Sequence, residues 1–278
     1  MERLVEHVVS NTLPSNWAFL ALGRIDRRSL IAALAGGVVF FLLAYASIQV
    51  SRFGGTLATI WLPGATATAL LLRPRLENEV PLLLSLTVGI ALANLSAGFP
   101  ITNSVLFALA NLVEVSVVVA LTRRSCGFRP DMTNIDHLAR FVWYGGLVGP
   151  LTSVAVVAGF MVASGGAFLA SLSGWIVTHS MGMILIVPTA LLLAEAVKHW
   201  RAAKPTRFAS STMLVLVGLG CAFLVFNQAQ YPLLFLIPPI TLLYAFRIGS
   251  IGTALFVILM AAMTMTMTWS GLGPIAAA

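Results

Sequence analysis

Charge is what this sequence has least of. Of 278 residues only 9 are acidic and 16 basic, 9% charged in all against 59% hydrophobic. A soluble domain carries about 25% charged residues, so a water-facing globule is excluded and a chain embedded in the lipid bilayer is implied. Cysteine is almost missing too. Cys126 falls in a hydrophilic break and Cys221 inside an apolar run, which excludes a disulfide framework and metal-ligand spacing and reads as two free thiols. There is no phosphate loop, dinucleotide fingerprint, G-x-S-x-G elbow or H-E-x-x-H run, so no enzyme is expected in this chain. The net charge of +7 does not indicate nucleic acid, because the basic residues form no stripe interleaved with aromatics. They sit in short breaks between apolar runs, the signature of membrane topology. Residues 1–28 hold Arg3, Arg24, Arg27 and Arg28 without a clean apolar stretch, so the first helix is expected to stay as an anchor after a cytoplasmic or interfacial segment.

What is present is a succession of apolar runs. A spanning helix needs about 20 apolar residues, and about nine segments of that kind fall near 29–50, 57–72, 80–97, 101–122, 138–164, 167–194, 210–227, 232–246 and 251–269. The expected fold is an all-α, polytopic transmembrane helix bundle. Pro63 in the second segment and Pro238 and Pro239 in the eighth suggest kinked or partly re-entrant helices. With the N-terminus cytoplasmic, the inner connections collect Arg73, Arg75, Arg123, Arg124, Arg129, Lys198, Arg201, Lys204, Arg207 and Arg247, besides the four N-terminal arginines. Arg140 snorkels to the same side, and Arg52 alone is left outside. The outer connections 98–100, 164–166 and 227–231 are too short to fold a receptor domain. Any detection must then occur within the bundle.

Ionisable side chains in the bilayer cost about 2.5–3.5 kcal/mol each on insertion scales, and two stand out. Glu114 lies deep in the fourth segment with Asn111 on the same face, and His179 lies mid-way along the sixth in a stripe with Trp175 and Gly182. Trp61, before Pro63, and Asn94, at the outer end of the third segment, join them as candidate lining of an outward-opening cleft. Plainer roles weigh evenly against this. Trp61 suits an interfacial aromatic belt, and a Glu114–His179 hydrogen bond ties helices together as readily as it answers a proton or ligand. A haem with two histidine ligands lacks its second ligand, since His7, His137 and His199 fall in hydrophilic segments. Met263, Met265 and Met267 do not share a helix face; with Met181 and Met183 they read as lipid-facing or core residues. No metal and no cofactor is expected.

The runs IWLPGATATALLLRPR at 60–75, ANLSAG at 93–98, ALANLVEVSVVVALTRR at 108–124, GWIVTHSMGMILIVPTALLL at 174–193 and FRIGSIGTAL at 246–255, closing with GLGP at 271–274, resemble in order and spacing the MASE1 family. These are integral-membrane sensory domains of bacterial signalling proteins. The resemblance covers residues from about 35 onward and implies a MASE1-like domain over 29–278 in the bacterial inner (cytoplasmic) membrane. It implies a last helix and a C-terminal output module beyond residue 278, a histidine kinase or an enzyme making or degrading cyclic di-GMP, and by analogy a homodimer. The signal is expected to be a small molecule, a lipophilic compound or a protein. A secondary transporter or permease-like subunit is the competing reading, because a mid-membrane polar patch also describes a substrate site.

Overall fold

The structure, a computed structural model, describes residues 22–53, 60–73, 76–163, 168–199, 205–228, 230–231 and 233–274. Arg3, Arg75, Arg201, Lys204, loop 164–166 and most of the N-terminal segment 1–28 lie outside them. The elements are α1 Arg27–Phe53, α2 Leu62–Leu71, α3 Val80–Ser96, α4 Ile101–Cys126 and α5 Ile135–Trp143, the last running through a π-helical turn Tyr144–Val148 into α6 Gly149–Ala163. Then come α7 Phe168–His199, α8 Pro205–Phe226, a 3₁₀ turn Leu233–Leu236 and α9 Ile237–Trp269. No strand forms among the described residues, only an isolated bridge between Leu22 and Asn78.

Local chemistry sets several of these boundaries. Asp26 starts α1 by accepting the Ser29 amide at 2.8 Å, and Asn134 starts α5 by accepting those of Asp136 and His137, as short polar side chains do at N-caps. The prolines expected to bend the second and eighth segments instead begin α2 and α9. In the first turn the missing N–H has no intrahelical partner to lose, so neither helix is broken at its proline. Where α1 and α3 run side by side, a Cβ on Gly89 would come within 2.9 Å of the Gly37 carbonyl oxygen, so the bare glycine permits that close approach. Phe40, Leu86, Ile90, Val115, Val118, Phe141 and Met183 fill the core between α1, α3, α4, α5 and α7.

Among the described residues five helices are long and apolar enough to cross a membrane: Arg27–Ser51, Ile101–Cys126, Ile135–Ala158, Leu172–Val197 and Leu233–Thr268. Leu62–Leu71, Val80–Ser96 and Thr212–Phe226 are shorter apolar helices. The eighth expected segment covers, from residue 233 on, the 3₁₀ turn and the start of α9, and the ninth falls within α9, which is not one rod. Gly249 has φ +68 and ψ −177, a conformation left to glycine, and the Tyr244 and Phe256 rings stack with centroids 4.5 Å apart. On a continuous helix residues at that separation would lie about 18 Å apart. The chain therefore turns back at Gly249 into a helical hairpin, and its second limb packs Met263 and Met267 against Ala222 and Phe226 of α8.

Hydrogen bonds gather the arginine-bearing connections at one end. Gly23 bonds Glu77, Arg123 bonds Leu71 and Glu79, Arg140 bonds Ser125, and Arg73 reaches Ala194. The starts of α1, α3 and α5 thus lie beside the ends of α2, α4 and α7.

Candidate functional site

Three elements bring the core of the site together. α4 carries Asn111 and Glu114, both 1% exposed, and α7 carries Trp175 and, 3% exposed, His179. Trp61 caps α2, its backbone amide donating to the Thr178 carbonyl at 3.1 Å. A Cβ on Gly182 would come within 2.2 Å of the Trp61 carbonyl oxygen, so the glycine one turn beyond His179 is what admits this segment.

His179 is enclosed on both faces. The Trp175 ring stacks on it at 4.5 Å and the Trp61 ring at 5.4 Å, with interplanar angles of 17° and 11°. Its Nδ1 lies 2.6 Å from Glu114 Oε2, so one proton is shared there whichever atom carries it. The other carboxyl oxygen, Glu114 Oε1, is buried without a hydrogen-bond partner. Trp61 Nε1 donates to Asn111 Oδ1 at 2.6 Å, while Asn111 Nδ2 donates to the Phe107 carbonyl at 2.8 Å. Trp175 Nε1 donates to Ser153 Oγ at 2.9 Å. Beside His179, Ser180 Oγ donates to the Gly146 carbonyl at 2.6 Å, which serves a backbone acceptor in the π-helical turn, where the usual ladder is interrupted.

Five of the six residues expected from the sequence thus form one contiguous cluster. Asn94 stands apart from it: its side chain is buried and donates back to the Ile90 carbonyl at 2.9 Å. Its own carbonyl accepts the Phe99 amide at 3.1 Å, so it shapes the turn that carries Phe99. The cluster is packed ring on ring, and neither the cavity of about 230 Å³ beside Ile60 and Leu62 nor the one of about 500 Å³ beside Arg73 includes the six residues.

Sequence reasoning missed three features. Phe107 lies against Trp175 at 5.4 Å and Phe99 edge-on to Phe107 at 6.1 Å, which extends the aromatic column to the α3–α4 connection. Phe107 is one turn before Asn111, and that spacing was the available signal. Ser153 follows Gly145 and Gly149 at four-residue spacing, a pattern of small residues that marks close helix packing and not a hydrogen-bond partner. The third is an ion pair at the arginine-bearing end. Arg123, counted from sequence as a connection charge, is 5% exposed and grips both oxygens of Glu79 at 2.8 and 2.6 Å. It also donates to the Leu71 carbonyl and lies over the Phe128 ring, 4.4 Å from its centroid.

Comparison with known proteins adds three findings. A family model described as MASE1 matches residues 31–278. A probable diguanylate cyclase, DgcE, of Escherichia coli strain K12 is 22% identical over 210 residues, which is 75% of this chain and 19% of that protein. The chain therefore spans about a fifth of the length of that relative. No solved structure matches the chain.

Proposed function

The chain belongs to the MASE1 family of membrane sensory domains, and from that premise we propose that it is the input half of a bacterial inner-membrane signalling protein. The observation that carries this reading is His179 held between Trp61 and Trp175 with its Nδ1 on Glu114. Such an arrangement has two states close in energy only if something replaces the partners His179 loses, and a ligand does that. A small-molecule, lipophilic or protein signal acting among Trp61, Asn111, Glu114, Trp175 and His179 would break the stack, and Glu114 Oε1, buried and unpartnered, offers the signal a ready acceptor. A shift from mostly off to mostly on needs about 5.5 kcal/mol of discrimination, and rearranging a buried ion-pair-like contact involves about 3–5 kcal/mol.

The short helix α2 offers the path to the cytoplasm. Asn111 holds its first end through Trp61 and Arg123 holds its last carbonyl at Leu71, both from α4. A displaced Trp61 pushes a rigid strut about 15 Å long against the Arg123–Glu79 pair. We place the N-terminus in the cytoplasm and count nine crossings, supported by the clustered arginines at one end and by the hairpin at Gly249. The output proposed is a C-terminal module, and the diguanylate cyclase name of the relative favours cyclic di-GMP synthesis over the kinase. Such modules act in pairs, which suggests a homodimer. The test is Glu114→Gln and Trp175→Ala in the protein joined to its output module, with cyclic di-GMP read over a signal titration. Both variants should lose the response while basal synthesis persists; an unchanged response in both removes the site assignment.

A further inference from the structure

Where α2 and α4 end beside the last turns of α7, a cavity of about 500 Å³ opens at the arginine-bearing end. Its wall is of two kinds. Leu72, Met132 and Leu192 are buried and apolar, whereas Arg73 and Arg129 bring guanidinium groups. Among the described residues neither arginine meets a carboxylate, and Arg73 has one long bond, 3.5 Å, to the Ala194 carbonyl. Two acids, Asp131 and Glu195, share the rim, each with contacts of its own rather than with Arg73 or Arg129. The Thr133 hydroxyl and amide bind the Asp131 carboxylate at 2.7 and 2.8 Å and hold it below the usual carboxylate range, and Glu195 has an interaction of its own.

Two guanidinium groups that pair with neither rim carboxylate, set beside an apolar wall, match a phosphoryl group carried on an apolar body. Positively charged membrane ends are also where phospholipid head groups lie. We propose that this cavity is a phosphoryl-binding site occupied by a phospholipid head group, with Arg73 and Arg129 on the phosphate and Leu72, Met132 and Leu192 against the glycerol and first methylenes. Leu72 directly follows Leu71, whose carbonyl Arg123 holds, so the lipid braces the end of α2. This site stands independently of the role proposed for His179.

The test uses the full chain in detergent and native mass spectrometry with phosphatidylglycerol, diacylglycerol and inorganic phosphate as separate probes. Phosphatidylglycerol should bind, and Arg73→Gln with Arg129→Gln should weaken it about tenfold, the worth of charge-assisted hydrogen bonds. Arg27→Gln with Arg28→Gln, elsewhere at the same end, should leave binding unchanged. Because Arg73 also reaches Ala194, the single variant Arg129→Gln at an exposed position guards against misfolding and should show a partial loss at unchanged melting temperature. Equal phosphatidylglycerol binding in the wild type and the Arg73/Arg129 double variant overturns the site, as does diacylglycerol competing as well as the phospholipid. Phosphate that binds through the same arginines where the lipid does not keeps the phosphoryl chemistry and overturns the lipid as its source.

Discussion

Glu114 is satisfied on one oxygen only. His179 meets Oε2 at 2.6 Å while Oε1 has no partner, so the whole hydrogen-bonded support of a 1% exposed carboxyl comes from one ring held in place by two indoles. His179→Ala removes that support and the stack together, and should destabilise the fold by about 3–5 kcal/mol. Glu114→Gln keeps an acceptor for the ring and removes the ionisable group, so it should cost much less. Thermal melting of the two variants in the same detergent checks the order; His179→Ala melting no lower than Glu114→Gln would show that the pair supports nothing. At this scale the sequence is legible where a residue is expensive. Glu114 and His179 announce themselves in an apolar run because insertion penalises them. Phe107 and Ser153 do not, since a phenylalanine or serine in a membrane helix is cheap on any face. Arg123 misleads for another reason: its partner Glu79 lies 44 positions away, and only the fold brings the two together.

At the scale of elements, α2 is the piece pinned at both ends, by Asn111 at Trp61 and by Arg123 at Leu71. Arg123→Ala leaves Glu79, 2% exposed, without its bidentate partner, and should cost about 3–5 kcal/mol, whereas Glu79→Leu with Arg123→Met should regain most of that. If α2 carries the signal, the stable double variant still fails to respond. Melting temperature and signal-dependent cyclic di-GMP read the two effects separately, and a double variant that signals normally excludes the α2 path. The turn from α4 to α5 carries a pH dependence of defined sign. Asp131 titrates below its ordinary value because the Thr133 hydroxyl and then its amide bind the carboxylate. Its contribution is therefore fully present above the unfolded value of about 3.9 and is lost as pH falls through the lower folded value. Hydrogen exchange at Thr133 should speed up as pH drops below about 4, relative to the intrinsic rate, and Asp131→Asn should abolish the dependence. Apolar runs and breaks located the helices from sequence alone. The π-helical turn at Tyr144–Val148 was not legible; the α7 residues it meets, Ser180 on the Gly146 carbonyl and Ile184 beside Gly146, are far away in sequence. The prolines were legible as breaks, whereas their place in the first turns of α2 and α9 was not, because a first-turn proline and an interior proline look alike until the N-cap is known.

At the scale of the whole molecule the open quantity is how often the chain crosses the bilayer, and it turns on α9. Leu233–Thr268 reads by length as a single long span, yet the Tyr244–Phe256 stack and the conformation of Gly249 fold it back on itself. The two limbs, residues 233–248 and 250–269, run to about 26 Å and about 30 Å, each close to the hydrocarbon thickness of about 30 Å. The sequence carries this break as Arg247 and Gly249 between two apolar runs, which is why basic-residue bias locates it and a hydropathy average does not. Two crossings put Tyr231 and Ser270 on the same outer side and Ser250 at the cytoplasmic face, whereas one crossing separates Tyr231 from Ser270 and leaves Ser250 in mid-bilayer. Cysteines at these three exposed positions, introduced after Cys126→Ala and Cys221→Ala, distinguish the cases with a membrane-impermeant maleimide. Tyr231→Cys and Ser270→Cys should label on intact cells, together with Thr102→Cys at the start of α4, and Ser250→Cys only after permeabilisation, together with Asp136→Cys. Labelling of Tyr231→Cys and Ser270→Cys from opposite sides would give an even number of crossings and overturn both the count of nine and the two crossings assigned to α9.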